Sequence, residues 1–211
     1  PRTLAQLQLV SECLASQGDS AALPLIEKLA EAFPRDAEAI RAEFLWRERR
    51  PQEATDALGS FFRGLREDPW PSRELINRSM ARAEAIARSD RSKIAAGLLY
   101  DALATPFCVF ASESERLAAR LGIGIYLDGD QPGEHALAVL QAFEPYVMWQ
   151  RNFLNTRKEC YLAQHSPLAK QANRDFDEFM KREAVTADVS GLTKEIEARA
   201  LHTQGQRSTP K

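Results

Sequence analysis

Apolar residues recur at three- and four-residue intervals along almost the whole chain, and no five-residue stretch alternates apolar and polar as a half-buried strand requires. A chain patterned in this way must build its core from helices. Residues 3 to 16 place Leu4, Leu7, Cys13 and Leu14 at such spacings before Gly18 stops the run. Residues 21 to 33 repeat the pattern with Leu25, Ile26, Leu29 and Phe33, and Pro34 ends it. Asp36 then opens a run to Arg49, its carboxylate suited to accept an orphan backbone N–H. Further helices are predicted over 52–66, 72–88, 92–104, 112–127, 132–144, 147–164, 167–184 and 189–201. The breaks between them are Pro51, Asp68-Pro69-Trp70-Pro71, Ser89-Asp90, Thr105-Pro106, Asp128-Gly129-Asp130 and Pro145. Ser166-Pro167 combines a serine cap with proline at the first helical position, where the missing N–H is harmless. Phe107 to Phe110 is strand-like in composition, but it is short, follows a proline and reads as a buried turn or a first helical turn.

With 211 residues, 44% of them apolar, the chain can bury one sizeable core or one stack of packed helices. Its 28 basic and 30 acidic side chains leave a net charge of −2, which argues against non-specific nucleic-acid binding. No run of 18 apolar residues is present to span a bilayer. Cys13, Cys108 and Cys160 are odd in number and far apart, neither a disulfide framework nor a zinc spacing. The chain starts at Pro1 without methionine or leader, so a piece of a longer protein is expected.

The second helix of each successive pair carries a small residue, an apolar one four later and another three after that. The instances are Ala22, Ile26, Leu29; Ala54, Leu58, Phe61; Ala96, Tyr100, Leu103; Ala136, Leu140, Phe143; and Ala172, Phe176, Phe179. Such residues share one helix stripe, where alanine lets a partner helix approach and the larger residues fill the groove beside it. Successive alanines lie 32, 42, 40 and 36 residues apart, and Pro34, Pro69, Pro106 and Pro145 follow four of the triplets.

This pattern resembles the tetratricopeptide repeat over about residues 2 to 184. Leu121-Gly122 matches the leucine–glycine pair of the family's first helix, and Gly129 the glycine of its inter-helix turn. Tyr126 stands one place later than the family's aromatic, and Ile40 occupies the place of its tryptophan. The resemblance implies an all-α fold, a right-handed superhelical stack of about five antiparallel helical hairpins. An irregular helical bundle would show similar stripes. Residues 189–201 read as a capping helix of a domain covering 1–201, and 202–211 as a disordered tail.

Little in the sequence points to catalysis. His135, His165 and His202 are not at metal-ligand spacing, and His135 reads as a half-exposed polar residue. His165 reads as serving a helix C-terminus. The cysteines read as small apolar core residues. Gly122 and Gly124 follow a helical run rather than a strand, so they read as close helix contacts and not as a phosphate loop. No enzyme activity, cofactor or metal is expected.

Stacked hairpins form a concave groove lined by their first helices. Arg151, Asn155 and Lys158 stand at i, i+4 and i+7 on the fifth of these. Tetratricopeptide domains that hold a peptide's terminal carboxylate use asparagine and basic residues on such stripes, through charge-assisted bonds. Arg73, Arg78, Arg82 and Arg88 make the third first helix the most positive strip, and Asn77, Arg78 and Arg82 are expected to line the same groove. Arg41, Arg47, Arg49 and Arg50 interleave with Glu38, Glu43 and Glu48 and read as paired surface charge beside Trp46. Trp70 is expected to pack between repeats, and Trp149 to sit in the core or the groove wall.

The function expected is a non-catalytic scaffolding domain that binds a protein or peptide, with no nucleic-acid or membrane partner, in a bacterial cytoplasm. The alternative is a helical appendage of a larger enzyme. The stretch from Phe143 to Glu183 is faintly similar to helical tails fused behind bacterial spermidine synthase-like domains.

Overall fold

In a computed structural model of the chain, residues 1–183 are described, and among them the fold is all-α. The helices are α1 (Leu4–Gln17), α2 (Ala22–Ala30), α3 (Pro34–Arg47), α4 (Pro51–Gly64), α5 (Arg73–Ser89), α6 (Ile94–Ala102), α7 (Glu113–Leu127), α8 (Glu134–Gln141) and α9 (Arg151–Ala163). A further helix, α10, occupies 169–183, and a single 3-10 turn, Phe110–Ser112, leads into α7. The chain divides into two compact units, Pro1–Ala142 and Phe143–Lys211. Among the described residues no helix is long and apolar enough to cross a membrane. The capping helix and tail expected beyond residue 188 lie outside the described residues.

Local chemistry sets most boundaries. Thr3 caps α1 by accepting from the Gln6 N–H at 3.2 Å, and Gly18 ends it at φ 73°, a left-handed conformation that glycine adopts without a Cβ clash. Ser72 caps α5 in the same way as Thr3, accepting from the Leu75 N–H. Pro34 and Pro51 open α3 and α4 instead of merely ending the helices before them, because proline's fixed φ suits the first turn. Asp36 is therefore not the cap expected of it: it lies buried inside the first turn of α3 and accepts from Gln8 Nε2 at 3.1 Å.

In the first unit each helix through α8 packs on the next, and odd-numbered helices also pack side by side, α1 on α3, α3 on α5 and α5 on α7. The predicted stripes form this core. Ala22, Ile26, Leu29, Ala54, Leu58, Phe61, Ala96, Tyr100, Leu103, Ala136 and Leu140 are all buried. In the strand-like stretch, which is irregular and lies between α6 and the 3-10 turn, Phe107 is buried and stacks on Phe62 at 5.8 Å between ring centroids, while Cys108 is exposed.

Gly122 and Gly124 are the close contacts expected. A Cβ on Gly122 would meet Glu84 of α5 at 3.0 Å, and one on Gly124 would meet the His135 backbone and the Tyr100 ring at 3.2 Å. At the α7–α8 turn the Asp128 carboxylate accepts from the Gly133 and Ala136 N–H groups at 2.9 and 3.1 Å and pairs with His135 Nδ1 at 2.7 Å. Burial alone would raise the Asp128 carboxyl, but the bonds from His135 and Ala136 hold it below the usual aspartate range.

In the second unit Phe143 packs edge-on against Phe153, with 4.7 Å between centroids, and α9 packs on α10. The second-unit members of the last triplet are less enclosed: Ala172 is buried, while Phe176 and Phe179 are half-buried. Residues 147–150, predicted as helix, are not helical; Gln150 is extended and its carbonyl accepts the first bond of α9.

Two further expectations are corrected. Trp70 is 86% exposed: flanked by Pro69 and Pro71, it cannot join a helical stripe, and the loop carries it outward. Cys13 and Cys108 are exposed, and only Cys160 behaves as a core residue.

Phe61→Ala is accordingly expected to destabilise the protein by about 3–5 kcal/mol, and Trp70→Ala to change stability by less than about 0.5 kcal/mol, as read from urea unfolding. The Asp128 contribution has a defined pH dependence. Because its folded pKa is depressed, the stabilisation is complete above the unfolded aspartate value and is lost as pH falls through the lower folded one. Asp128→Asn should lower stability by about 1–2 kcal/mol near neutrality. Urea titrations should show that deficit shrinking below about pH 4.

Candidate functional site

The small side chains that let α1, α3 and α5 lie side by side also leave space between them. A cavity of about 400 Å³ opens there, within the range of ligand-sized clefts. Its floor is apolar: Ile40 from α3, Leu75 from α5 and Leu58 reaching in from α4. Ala15, Ser16, Ala39, Ser79 and Ala81 line it with little bulk, which is why the space is not filled.

Charged groups form the walls. Arg82 grips Glu43 through Nε and Nη2 at 2.6 and 2.8 Å, and Arg47 donates to the same carboxylate at 2.8 Å. The Arg82 guanidinium also lies over the Trp46 ring, 5.6 Å from its centroid. Across the cavity Arg78 donates to Glu12 at 2.6 Å. Gln8 bridges Glu12 and Asp36, donating to each at 3.1 Å. Burial pushes the Asp36 carboxyl up, against the pull of a backbone hydrogen bond, and the nearby charges of Glu12 and Asp68 add to the rise.

Of the residues expected in a groove, Arg78 and Arg82 line this cavity. Asn77 does not; it is half-buried on the adjoining stripe of α5, and its Oδ1 has no hydrogen-bond partner. The strip of α5 is not a free positive surface. Arg73, Arg78, Arg82 and Arg88 face Glu115, Glu12, Glu43 and Asp130, each carboxylate supplied from outside α5. A reading confined to the residues of α5 misses these partners. Glu84 instead turns toward Gly122, and burial raises its carboxyl against the opposing charge of Arg88.

Arg151, Asn155 and Lys158 belong to the second unit and to one another's neighbourhood on α9. Arg151 lies 3.5 Å from Glu183, Asn155 donates to Glu159 at 2.8 Å, and the Lys158 ammonium sits 4.1 Å from the centre of the Phe176 ring. The dominant charge on α9 is a residue the sequence reading passed over. Arg157 is 1% exposed and bridges Glu144 and Asp175 at 2.6 and 2.7 Å. Tyr161 donates to the same Glu144 at 3.0 Å and Gln171 to Asp175 at 2.6 Å, so the buried charges are well partnered. Burial alone would lower the Arg157 guanidinium, but the two carboxylates hold its pKa up; burial and Glu144 raise the Tyr161 phenol.

Comparison with protein-family models, with curated proteins and with solved structures finds no match to this chain.

The two kinds of arginine on α9 separate cleanly by substitution. Arg157→Met leaves two carboxylates without their cation and is expected to cost about 3–5 kcal/mol of stability. Arg151→Ala, at an exposed pair, should change it by less than about 0.5 kcal/mol. Urea unfolding followed by circular dichroism distinguishes the two.

Proposed function

We propose that this chain is a non-catalytic protein-interaction domain of tetratricopeptide-like hairpins, and that α1, α3 and α5 form the groove that receives a peptide or a segment of a partner. On this reading the helices pair as antiparallel hairpins, α1–α2 through α7–α8 stacked right-handedly in the first unit and α9–α10 as one hairpin in the second. The observation that carries it is the cavity itself: apart from Leu58, every residue lining it comes from a first helix of such a pair. The side-by-side packing of α1, α3, α5 and α7 is what a stack of hairpins produces, and it favours this reading over an irregular bundle. A groove with an apolar floor and polar walls suits a segment that inserts one side chain and lays its backbone along the rim.

Ser16 and Ala81 line the cavity yet are exposed, so a large side chain at either would block it without entering the core. A pull-down from lysate with the full chain should recover a partner that Ser16→Trp and Ala81→Trp each lose while folding normally. Arg151→Ala/Asn155→Ala should retain it. A partner lost only by the second pair would move the binding face to α9, and a partner held equally by all variants would remove the groove reading.

A further inference from the structure

We propose that the α1–α3–α5 cavity selects an internal peptide segment presenting one large apolar side chain beside an acidic residue; this rests on the groove reading above. The apolar half follows from the floor, where Ile40, Leu58 and Leu75 offer an unfilled hydrophobic surface with space for a side chain. The acidic half follows from the walls.

Three guanidiniums, of Arg47, Arg78 and Arg82, share two carboxylates, of Glu12 and Glu43, so the lining carries an excess of one positive charge. Two of the arginines also sit farther out than the carboxylates. The side chains of Glu12, Glu43 and Arg82 are 19%, 24% and 22% exposed, whereas those of Arg47 and Arg78 are 46% and 53% exposed. Water, and any arriving ligand, therefore meets arginine first.

Arg47 commits its Nε to Glu43 and Arg78 its Nη2 to Glu12, and a guanidinium has further donors in the same plane. A partner carboxylate at the rim accepts from those outer edges without displacing either glutamate, and it balances the charge that binding would otherwise bury unpaired. A basic residue in the same place would face the exposed guanidiniums of Arg47 and Arg78 and be rejected. Glu12 and Glu43 thus hold the arginines in place and leave their outer edges to the ligand.

The test is a phage-displayed random heptapeptide library, selected on the full chain and counter-selected on its Ala81→Trp variant. Peptides that bind only the open groove should carry Asp or Glu within two positions of Leu, Ile, Met or Phe. In anisotropy titrations of such a peptide, changing its acid to the amide should weaken binding about 3–10-fold. Arg78→Gln and, independently, Arg47→Gln should weaken the acidic peptide more than its amide form. Groove-blocked peptides without an acidic signature, or acidic ones indifferent to both arginine variants, would overturn the proposal while leaving the groove reading intact. Failure to enrich any peptide that Ala81→Trp excludes would remove both.

Discussion

Close approach of helices through small side chains is the constraint on which the first unit depends. Alanines at 22, 54, 96 and 136 are fully buried, and the first-unit residues that follow them on the stripe, Ile26, Leu29, Leu58, Phe61, Tyr100, Leu103 and Leu140, are buried beside them. An alanine stripe is a poor source of hydrophobic area by itself. Its effect is geometric: it lets Ile26, Leu58, Phe61 and Leu140 reach across to neighbouring helices. Gly122 and Gly124 extend the same logic to α7, where even one methyl would press on Glu84, Tyr100 or the α8 backbone.

The same device opens the cavity. On the second helices, small residues are followed by large ones and the interface closes. On α1, α3 and α5 the small residues Ala15, Ala39 and Ser79 face one another with charged rather than apolar neighbours one turn away, as with Glu12, Glu43 and Arg82. Long charged side chains extend to the rim instead of folding into the space, because their heads need solvent or a partner. Packing that seals one layer therefore leaves the other with a lined depression. The rim is kept in order by ion pairs between helices that are distant in sequence, Arg78 to Glu12 and Arg82 to Glu43.

The sequence made the helices legible because their signals are local. Gly18, Ser72 and the proline breaks act within one turn, and the i, i+4, i+7 stripes depend only on helical geometry, so among the described residues ten helices emerge near their predicted places. Two of the misreadings share a cause. Neighbours in the chain suggest a cap at Asp36 and a free positive strip on α5, but both environments are set by residues tens of positions away. Asp36 is enclosed with Gln8 of α1, and the arginines of α5 find carboxylates from outside their helix. The cavity was half legible: Arg78 and Arg82 were placed in a groove, while Glu12 and Glu43 were not, since an acidic residue on an amphipathic helix has the pattern of any solvated face. Small residues recurring on the first helices were the available sign.

Charge in the second unit obeys a different rule from charge at the rim. Arg157 lies one helical position from Lys158 and two from Asn155, yet it is sealed between α9, α10 and the segment preceding α9. A guanidinium enclosed at this depth is tolerated only where its donors are matched, and Glu144 and Asp175 do so from opposite sides in sequence. Hydrophobic residues could fill that volume at equal stability but would accept several helix rotations, whereas a planar fork bonded to two fixed carboxylates accepts one. The buried arginine thereby fixes which face of α9 points inward, while Arg151, Asn155 and Lys158 share another face, where they engage Glu183, Glu159 and the Phe176 ring.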